Sequence, residues 1–381
     1  MNPIIVLGSG LAGYTVIREL RKLDSELPIT LVSRDSGDFY SKPTLSNAFA
    51  QKKDAAGLLQ TAAAGMAQQL NFELLANTEV HSLQRSEKKL LTTNGVLEYH
   101  KLVLALGADP IRIPMQGNAA TSALSVNDLS DYAQLRVALA QAKSVAIMGA
   151  GLIGCEFAND LALAGYQVSI IDPGSYPLAS LMPEQAGRQL LEPLAKIGVT
   201  WHFGAAVQAI DTTPSGYALS LTGGTTLKAD VVLSAVGLRP RIQLAREAGL
   251  TVNRGIVVNN QLCSSDESIF ALGDCAEIEG AVRPFVLPIM HAGKTLARIL
   301  RGEPTPLNFP SMPVVVKTPA HPVALLPVSQ GASGSWQVLE TGLGIKMGFF
   351  NEQQKLTGFV LTGQYSSERN DMLKKIATGT L

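Results

Sequence analysis

The sequence has little cysteine, no excess of charge and no long apolar run. Its 381 residues include three cysteines, which are scattered and show no metal-ligand spacing, so neither a disulfide framework nor a metal site is expected. The formal net charge is zero at pH 7, which argues against nucleic acid as a partner. No apolar run approaches the roughly 18 residues that a membrane span needs. Because the chain also begins directly in a strand-like segment, we expect a cytoplasmic protein without a signal peptide.

Two glycine-rich fingerprints of the form Gly-x-Gly-x-x-Gly are the most informative features that are present. The first follows the apolar run Ile4–Leu7, and the second follows Val145–Met148. After each fingerprint, apolar residues recur at helical spacing and a second apolar run begins, so each predicts a β-α-β unit of a parallel sheet. The first fingerprint comprises Gly8, Ser9, Gly10, Leu11, Ala12 and Gly13, and the second comprises Gly149, Ala150, Gly151, Leu152, Ile153 and Gly154.

The chemistry that these fingerprints indicate is nucleotide binding. Their glycines allow a tight turn, a close approach of the backbone to a pyrophosphate, and close packing of helix on strand. The N-terminus of the helix then presents free N–H groups and partial positive charge to the phosphates. Two such sites in one chain predict two nucleotide cofactors, which is the arrangement of a flavoenzyme that a nicotinamide nucleotide reduces.

The chain changes character near residue 309. Four prolines lie around this point, and short β-like runs separated by glycine-containing turns follow it. These features predict a small third domain over residues 309–381, with an antiparallel sheet and a terminal helix near residues 366–377. The predicted fold class is therefore α/β, with two Rossmann-like nucleotide-binding domains and a small α+β C-terminal domain.

A known superfamily shares these motifs. The two fingerprints together with the run Ile269–Asp274 resemble the FAD-dependent pyridine-nucleotide oxidoreductases of the glutathione-reductase type. Within that superfamily, Tyr40–Pro43 and Val316–Pro319 resemble the rubredoxin–NAD reductase branch. The resemblance implies FAD on the first fingerprint and NAD(H) on the second. It also implies that residues 1–112 and 244–308 form the FAD-binding domain, that residues 113–243 form an inserted NAD-binding domain, and that residues 309–381 follow as the C-terminal domain.

The resemblance also implies roles for single residues of the FAD site. Asp274 would accept a hydrogen bond from the ribityl chain, with a helix N-cap as the alternative. Lys42 would lie beside the flavin, with an exposed turn lysine as the alternative. The backbone of Val80 would hold the adenine. Val286 would lie near the pyrimidine end of the flavin, and a core position is its alternative.

Two further residues are implied at the contact between flavin and nicotinamide. Glu156 follows the second fingerprint by two positions and would bond cofactor amides, and a solvated helix glutamate is the alternative. Lys317 lies in an apolar strand run, where a lysine needs a partner. A flavin carbonyl is the implied partner, and extension of the side chain to the surface is the alternative.

The adenosine ends of the two sites differ in sequence. Asp172 ends the second strand of the NAD unit, where an acid bonds the ribose and repels a 2′-phosphate, so NADH is favoured over NADPH. In the FAD unit, Ser33 stands where an acid is expected. We expect Arg34 and Asp35 to contact the adenosine part of FAD instead, and an exposed turn pair is the alternative.

The cysteines that related reductases use are missing. Disulfide reductases of the superfamily carry a Cys-x₄-Cys pair soon after the first fingerprint, and the corresponding stretch Tyr40–Gly57 contains no cysteine. Cys155 and Cys275 have the character of small packing residues. No acid–base pair stands at convincing spacing, so no catalytic side chain is predicted. Electrons would therefore pass from the flavin directly to an external acceptor.

The resemblance implies rubredoxin, a small acidic iron protein, as that acceptor, and an alkane hydroxylase as the destination of the electrons. Three alternatives stay open: a ferredoxin reductase, a flavorubredoxin reductase, and an NADH-responsive flavin-binding interaction protein. A monomer is favoured over an oligomer. The C-terminal domain has six basic and four acidic residues, and this excess could help to dock an acidic partner or be an ordinary solvated face. The basic residues are Lys317, Lys346, Lys355, Arg369, Lys374 and Lys375.

Overall fold

The computed structural model describes residues 2–329 and 331–379. The chain forms two compact units: the first unit comprises Met1–Lys42, Gly57–Asp109 and Leu238–Pro310, and the second comprises Pro43–Ala56, Pro110–Gly237 and Ser311–Leu381. The segments around the first fingerprint therefore group together, as do those around the second. Residues 43–56 and the C-terminal segment group with the second unit, so the division into three domains stays a prediction.

Most strands and helices are joined by short loops, and the irregular stretch over residues 301–313, between α9 and β22, is one of the longer connections. In chain order the strands are β1 (Ile4–Leu7), β2 (Ile29–Val32), β3 (Phe39–Tyr40), β4 (Leu59–Thr61), β5 (Glu73–Leu75), β6 (Val80–Gln84), β7 (Lys89–Thr92), β8 (Gly95–Glu98), β9 (Lys101–Leu104), β10 (Ala108–Pro110), β11 (Ser144–Met148), β12 (Gln167–Asp172), β13 (Val199–Phe203), β14 (Val207–Thr213), β15 (Gly216–Leu221), β16 (Thr226–Ala229), β17 (Val231–Ser234), β18 (Leu238–Pro240), β19 (Ile256–Val258), β20 (Ile269–Ala271), β21 (Ala276–Ile278), β22 (Val314–Val316), β23 (Val323–Leu326), β24 (Gly334–Gly342), β25 (Gly344–Asn351) and β26 (Leu356–Thr362). The helices are α1 (Leu11–Leu23), α2 (Ala55–Leu58), α3 (Ala63–Gln69), α4 (Leu129–Leu139), α5 (Leu152–Leu163), α6 (Glu184–Gly187), α7 (Leu191–Lys196), α8 (Gln243–Glu247), α9 (Val286–Leu300) and α10 (Arg369–Thr378).

The first unit is built on a parallel sheet in the order β20-β9-β1-β2-β5. Strand β1 is fully buried at its centre, and the sheet order reverses beside it, which is where nucleotides bind in open α/β sheets. Helices α1 and α9 pack closely, because Gly293 of α9 has no side chain to collide with Thr15: a Cβ there would lie 2.6 Å from the Thr15 methyl carbon.

The second unit contains a parallel sheet in the order β13-β12-β11-β17 and a small antiparallel sheet of β14, β15 and β16. Its C-terminal part is an antiparallel sheet in the order β22-β23-β26-β25-β24, which is followed by α10. The predicted α/β class with two Rossmann-like parts and a small C-terminal sheet is confirmed. None of the helices in the described ranges is both long and apolar enough to cross a membrane.

Candidate functional site

The first fingerprint forms a tight loop between β1 and α1. A Cβ on Gly8, whose φ is +118°, would lie 2.3 Å from the carbonyl oxygen of Ala105, and a Cβ on Gly13 would lie 2.0 Å from the carbonyl oxygen of Gly8. A Cβ on Gly10 would meet no atom within 4 Å. Packing therefore requires the outer two glycines, while the middle one borders open space at the start of α1. This arrangement fits a pyrophosphate.

The second fingerprint repeats this geometry between β11 and α5. A Cβ on Gly149, at a φ of +104°, would lie 2.6 Å from the carbonyl oxygen of Ala235, and a Cβ on Gly154 would lie 1.9 Å from that of Gly149. Gly151 again borders open space. Neither α1 nor α5 has a side-chain cap, so backbone N–H groups at both helix starts are available to a phosphate.

Asp35 lies against the first fingerprint. Its Oδ1 accepts hydrogen bonds from Ser33 Oγ at 2.6 Å, from the Gly37 backbone N–H at 2.9 Å and from Ser9 Oγ at 3.2 Å. The hydroxyl groups of Ser9 and Ser33 are also 2.8 Å apart. A carboxylate three residues beyond the end of β2 thus reaches back to the fingerprint, while the neighbouring Arg34 is exposed.

The Val80 segment, residues 77–80, is hydrogen-bonded to the same loop. The backbone N–H of Thr78 donates to the carbonyl of Ser33 at 2.8 Å, and that of Asn77 donates to the carbonyl of Asp35 at 2.8 Å. Val80 then begins strand β6. The two parts of the chain that we assigned to the adenosine end of FAD are therefore neighbours within the first unit.

Asp274 lies on the other side of the first fingerprint. It follows β20, and a Cβ on the preceding Gly273 would lie 2.9 Å from the Cβ of Ala12, so this turn packs on the fingerprint. Burial raises the pKa of the Asp274 carboxyl, while the positive charges of Lys42 and Arg241 act in the opposite direction. Asp274, Lys42 and the fingerprint are thus brought together.

Val286 is the first residue of α9 and is 37% exposed, so it is not a core residue. The side chain of Phe285 before it provides no cap for the helix. Through the close packing of α9 on α1, Val286 belongs to the same structural unit as the first fingerprint and Asp274. Its assignment to the pyrimidine end of the flavin stays a prediction.

Asp172 supports the second fingerprint loop with both carboxylate oxygens. Oδ2 accepts the backbone N–H of Ala150 at 2.7 Å, and Oδ1 accepts that of Gly174 at 2.7 Å. Each carboxylate oxygen keeps a second lone pair, so the group is able to accept further hydrogen bonds from a ribose. The acid is therefore anchored at the position that the NAD-binding interpretation requires.

Glu156 and Lys317 are partners of one another within the second unit. The Lys317 Nζ lies 2.5 Å from Glu156 Oε2, and the backbone N–H of Lys317 donates to Oε1 at 2.9 Å. The hydroxyl of Ser46 donates to Oε2 at 2.5 Å. Glu156 is fully buried, so it is not a solvated helix glutamate. The lysine does have a partner, but it is a carboxylate of the chain itself.

Two neighbours of Glu156 on the same helix face were not predicted from the sequence. Asp160 accepts the backbone N–H groups of Phe49 at 2.8 Å and Ala50 at 3.0 Å. Asn159 Oδ1 accepts that of Ala320 at 3.1 Å. All three side chains are buried, and burial is the main cause that raises the pKa of Asp160. Three polar residues at helical spacing in an otherwise apolar helix were the signal that could have revealed this face.

The cysteines have the environment of packing residues. Cys155 and Cys275 are fully buried, and their thiols donate to backbone carbonyls, Cys155 to Ala150 and Cys275 to Leu104 and Leu272. Burial raises the pKa of Cys275 to about 11 and that of Cys155 further. Both are therefore protonated near neutral pH and unreactive. Within residues 2–329 and 331–379, no group of three metal-ligating side chains could hold a metal ion.

Comparison with known families agrees with this geometry. The family described as pyridine nucleotide-disulphide oxidoreductase matches residues 2–293. The chain belongs to this family. Its members use FAD together with a nicotinamide nucleotide, the two cofactors that the fingerprints predicted. A second family, described as rubredoxin binding C-terminal domain, matches residues 306–376. The resemblance noted from the motifs is therefore confirmed.

Several known proteins are similar to this chain over nearly its full length. The rubredoxin-NAD(+) reductase of Alcanivorax borkumensis is 44% identical over 377 residues, which are 99% of each chain. The nitric oxide reductase FlRd-NAD(+) reductase of Aeromonas hydrophila is 38% identical and covers 98% of this chain and 96% of its own. The crystal structure of a covalent putidaredoxin reductase–putidaredoxin complex aligns with a TM-score of 0.89 at 25% identity, covering 99% of this chain and 93% of that one.

Proposed function

We propose that this chain is an FAD-dependent NADH:rubredoxin oxidoreductase. The observation that carries the proposal is the match of residues 306–376 to a rubredoxin-binding domain, in a chain that also has two intact nucleotide fingerprints. The 44% identity to a rubredoxin-NAD(+) reductase over the full length supports it. The destination of the electrons that we propose is an alkane hydroxylase, and we propose the cytoplasm as the location.

In this proposal the first unit holds FAD. The backbone of the first fingerprint binds the pyrophosphate, and the Ser33–Asp35 loop with the Val80 segment holds the adenosine end. Asp274 would accept a hydrogen bond from a hydroxyl of the ribityl chain, and Lys42 places positive charge beside that carboxylate. FAD held by these residues would supply the redox chemistry, which combines hydride acceptance from NADH with single-electron donation. The protein contributes orientation rather than an acid or a base.

The second unit holds NADH in the same proposal. Gly149, Gly151 and Gly154 let the backbone approach the pyrophosphate, and Asp172 bonds the adenosine ribose. A 2′-phosphate would bring negative charge close to the Asp172 carboxylate, which is fixed by two backbone N–H groups and cannot turn away without losing them. NADH is therefore expected to be the better donor.

Glu156 and Lys317 act as a pair rather than separately in this proposal. The buried carboxylate is neutralised by Lys317 and held by Ser46, so a cofactor would meet a fixed, hydrogen-bonded pair. The lysine side chain is 28% exposed, so it can donate to a second acceptor while it keeps its carboxylate partner. A flavin carbonyl remains the acceptor that we propose.

The unreactive cysteines support a protein carrier as the acceptor. Disulfide reductases need a thiolate next to the flavin, and the buried thiols of Cys155 and Cys275 are protonated near neutral pH. Without a thiol relay, electrons from a bound flavin would pass directly to an external partner. A weak, charge-steered complex suits such a transfer, because the partner must dissociate after each electron.

Reduction of the purified holoprotein tests this function. The protein should show a flavin absorption spectrum, and anaerobic NADH should bleach it, whereas NADPH should do so poorly. Cytochrome c reduction should then depend on added rubredoxin. Failure of NADH to bleach the flavin would contradict the cofactor assignment, and stimulation by ferredoxin alone would contradict rubredoxin as the acceptor.

A second candidate is the reductase of a nitric oxide reductase system. The observation in its favour is the 38% identity to the FlRd-NAD(+) reductase of Aeromonas hydrophila. The rubredoxin-NAD(+) reductase of Alcanivorax borkumensis has 44% identity, which is only moderately higher. A direct comparison of kcat/KM for a free rubredoxin and for a flavorubredoxin separates the two candidates. A higher value for flavorubredoxin would favour the second one.

A further inference from the structure

Helix α9 of the first unit carries an unusual exposed face. Leu287 and Met290 are 46% and 48% exposed, and Lys294 and Arg298 are exposed further along the helix. Their spacing of three, four and four residues places all four side chains on one side of the helix. We call these four residues the α9 stripe. It is apolar toward the start of the helix and basic toward its end.

The charges of the α9 stripe are of one sign and uncompensated. Helix α9 contains no acidic residue. Among the ion pairs of the described residues, none involves Lys294 or Arg298, whereas Arg301 just beyond the helix is paired with Asp24 at 2.7 Å. Exposed apolar side chains next to unpaired charges are typical of surfaces that bind another protein. An acidic partner fits such a surface.

The position of the α9 stripe also suits electron transfer. The opposite side of α9 packs on α1, the helix that follows the first fingerprint, and Val286 at the start of α9 is a proposed flavin neighbour. Leu287 and Met290 lie within one turn of Val286. A protein that covered the apolar end of the stripe would therefore lie near the flavin edge that Val286 is proposed to contact.

Several basic residues of the C-terminal sheet and helix already have acidic partners within the chain. Lys317 is bound to Glu156, and Lys346 is 8% exposed and bound to both Glu340 and Glu368. Lys374 has Asp371 at 3.6 Å. The positive excess that the sequence placed in this region is thus partly used inside the protein.

We propose that the α9 stripe docks the acidic electron-carrier protein, with Lys294 and Arg298 steering it and Leu287 and Met290 forming the apolar centre of the contact. This proposal rests on the proposed function, since it assigns the surface on which rubredoxin is reduced. It adds a surface of the first unit to the rubredoxin-binding match, which covers only residues 306–376.

Charge reversal on the α9 stripe tests the proposal in the FAD-loaded enzyme. The double variant Lys294→Glu/Arg298→Glu should lower kcat/KM for a one-iron rubredoxin about tenfold or more at low salt, and the difference from the wild type should shrink as salt is raised. Met290→Ala should lower the same constant about fivefold at every salt concentration. NADH-dependent ferricyanide reduction and the FAD content should stay unchanged in both variants.

A matched charge reversal on helix α10 is the control. Lys374→Glu/Lys375→Glu reverses the same number of positive charges inside the rubredoxin-binding match, and it should lower kcat/KM for rubredoxin less than the α9 double variant does. If the α10 variant lost rubredoxin reduction and the α9 variants kept it, docking on α9 would be wrong. Equal losses with ferricyanide and with rubredoxin, or a change of oligomeric state caused by Met290→Ala, would also overturn the proposal. A wild type that reduces ferricyanide but not rubredoxin would instead refute the proposed function.

Discussion

The two nucleotide-binding units of this chain share their glycines but not their acid. In both units the outer glycines leave no room for a Cβ, and the middle glycine borders open space. In the second unit Asp172 ends strand β12 and accepts the backbone N–H of Ala150 directly. In the first unit Ser33 has the corresponding place after β2, and the acid comes two residues later as Asp35.

The two acids nevertheless make similar hydrogen bonds. Each accepts the backbone N–H of the glycine two residues ahead, Asp35 from Gly37 at 2.9 Å and Asp172 from Gly174 at 2.7 Å. Asp35 reaches its fingerprint through the Ser9 hydroxyl, where the second unit has Ala150 and uses the backbone instead. The comparison teaches that backbone packing determines the positions of the glycines in the sequence. The position of the acid can differ by two residues, because the Ser9 hydroxyl connects Asp35 to the fingerprint.

The helices after the two fingerprints differ more strongly. Thr15, Arg18 and Glu19 occupy the positions in α1 that Glu156, Asn159 and Asp160 occupy in α5. In α1 the threonine bonds its own helix backbone, the arginine stacks over Phe39, and the glutamate pairs with exposed Lys22. In α5 all three side chains are buried and hold other segments of the second unit. The same fold element therefore serves a local role in one unit and a long-range role in the other.

The largest effect that we expect comes from filling the last glycine of a fingerprint. In Gly13→Ala the new Cβ would meet the carbonyl oxygen of Gly8 at 2.0 Å, so helix and strand must separate, at a cost of about 3 kcal/mol or more of folding free energy. We expect loss of bound FAD and a lower thermal midpoint, measured by flavin absorbance and calorimetry. Gly154→Ala should instead keep FAD and lose NADH binding.

The matched control for this variant is Gly10→Ala. Its Cβ meets no protein atom within 4 Å, so the folded chain should tolerate it and only cofactor affinity should fall. If Gly10→Ala unfolded the protein as readily as Gly13→Ala, the distinction between packing glycines and the open glycine would be wrong.

The next effect separates the two acids by cofactor. Asp172→Ala removes the charge that we propose to disfavour a 2′-phosphate and the group that anchors the Ala150 loop, so kcat/KM for NADH should fall about 10- to 100-fold. Asp35→Ala should weaken FAD retention and leave the ratio of NADH to NADPH activity unchanged. Steady-state kinetics with both donors and a measurement of FAD dissociation distinguish these outcomes. A change of donor preference in Asp35→Ala would contradict the separate roles.

A smaller effect concerns the buried face of α5. Asp160→Asn replaces one hydrogen-bond acceptor of the Phe49 and Ala50 amides by an NH₂ group, which should cost about 2 kcal/mol of folding free energy. Because burial raises the pKa of Asp160 in the folded state, the folded protein holds this proton more tightly than the unfolded chain does. The wild type should therefore lose stability as pH rises above about 4, its unfolded pKa, until the folded-state pKa is passed.

Urea unfolding between pH 4 and 7 measures this effect. The stability advantage of the wild type over Asp160→Asn should shrink as pH rises, because the variant has no carboxyl at this position to ionise. Asp371→Asn removes an exposed carboxyl from helix α10 and is the matched control. An advantage that is constant over this range would contradict a raised pKa.

The smallest effect should follow from removing the thiols. Cys155→Ala and Cys275→Ala each delete a buried thiol that donates to backbone carbonyls, so stability should fall by about 1 kcal/mol or less and turnover should not change. Thiol-alkylating reagents should not inhibit the folded wild type. Inhibition that disappeared in Cys275→Ala would show that this thiol is accessible and reactive, and would contradict its role as a packing residue.

Parts of the candidate sites could be predicted from sequence because the signal is local. Each fingerprint acts within six consecutive residues, and the strand before it and the helix after it are visible in the pattern of apolar residues. The same holds for Asp172, which stands at the end of a clear strand. Asp35 was assigned to the adenosine end without the serine bridge that connects it to the fingerprint.

The partners of Glu156 and Lys317 could not be predicted in this way. The two residues are 161 positions apart, and Ser46 is 110 positions from Glu156. The family resemblance implied a cofactor contact for each of them, and Lys317 in addition lies in an apolar run, where a lysine needs a partner. Only the fold of the second unit shows that the segments of Ser46 and Lys317 supply the hydrogen-bond partners of Glu156.

The sequence by itself determined that the chain has two nucleotide fingerprints, and it predicted that the second binds NADH and that no cysteine pair relays electrons. These properties depend on backbone sterics and residue identity over short stretches, which do not need the rest of the chain. The tertiary structure decided which side chains bond to Glu156 and Asp160, how deeply the thiols of Cys155 and Cys275 are buried, and which charges of α9 remain unpaired. These properties depend on burial and on contacts between distant segments, and both arise only when the chain has folded.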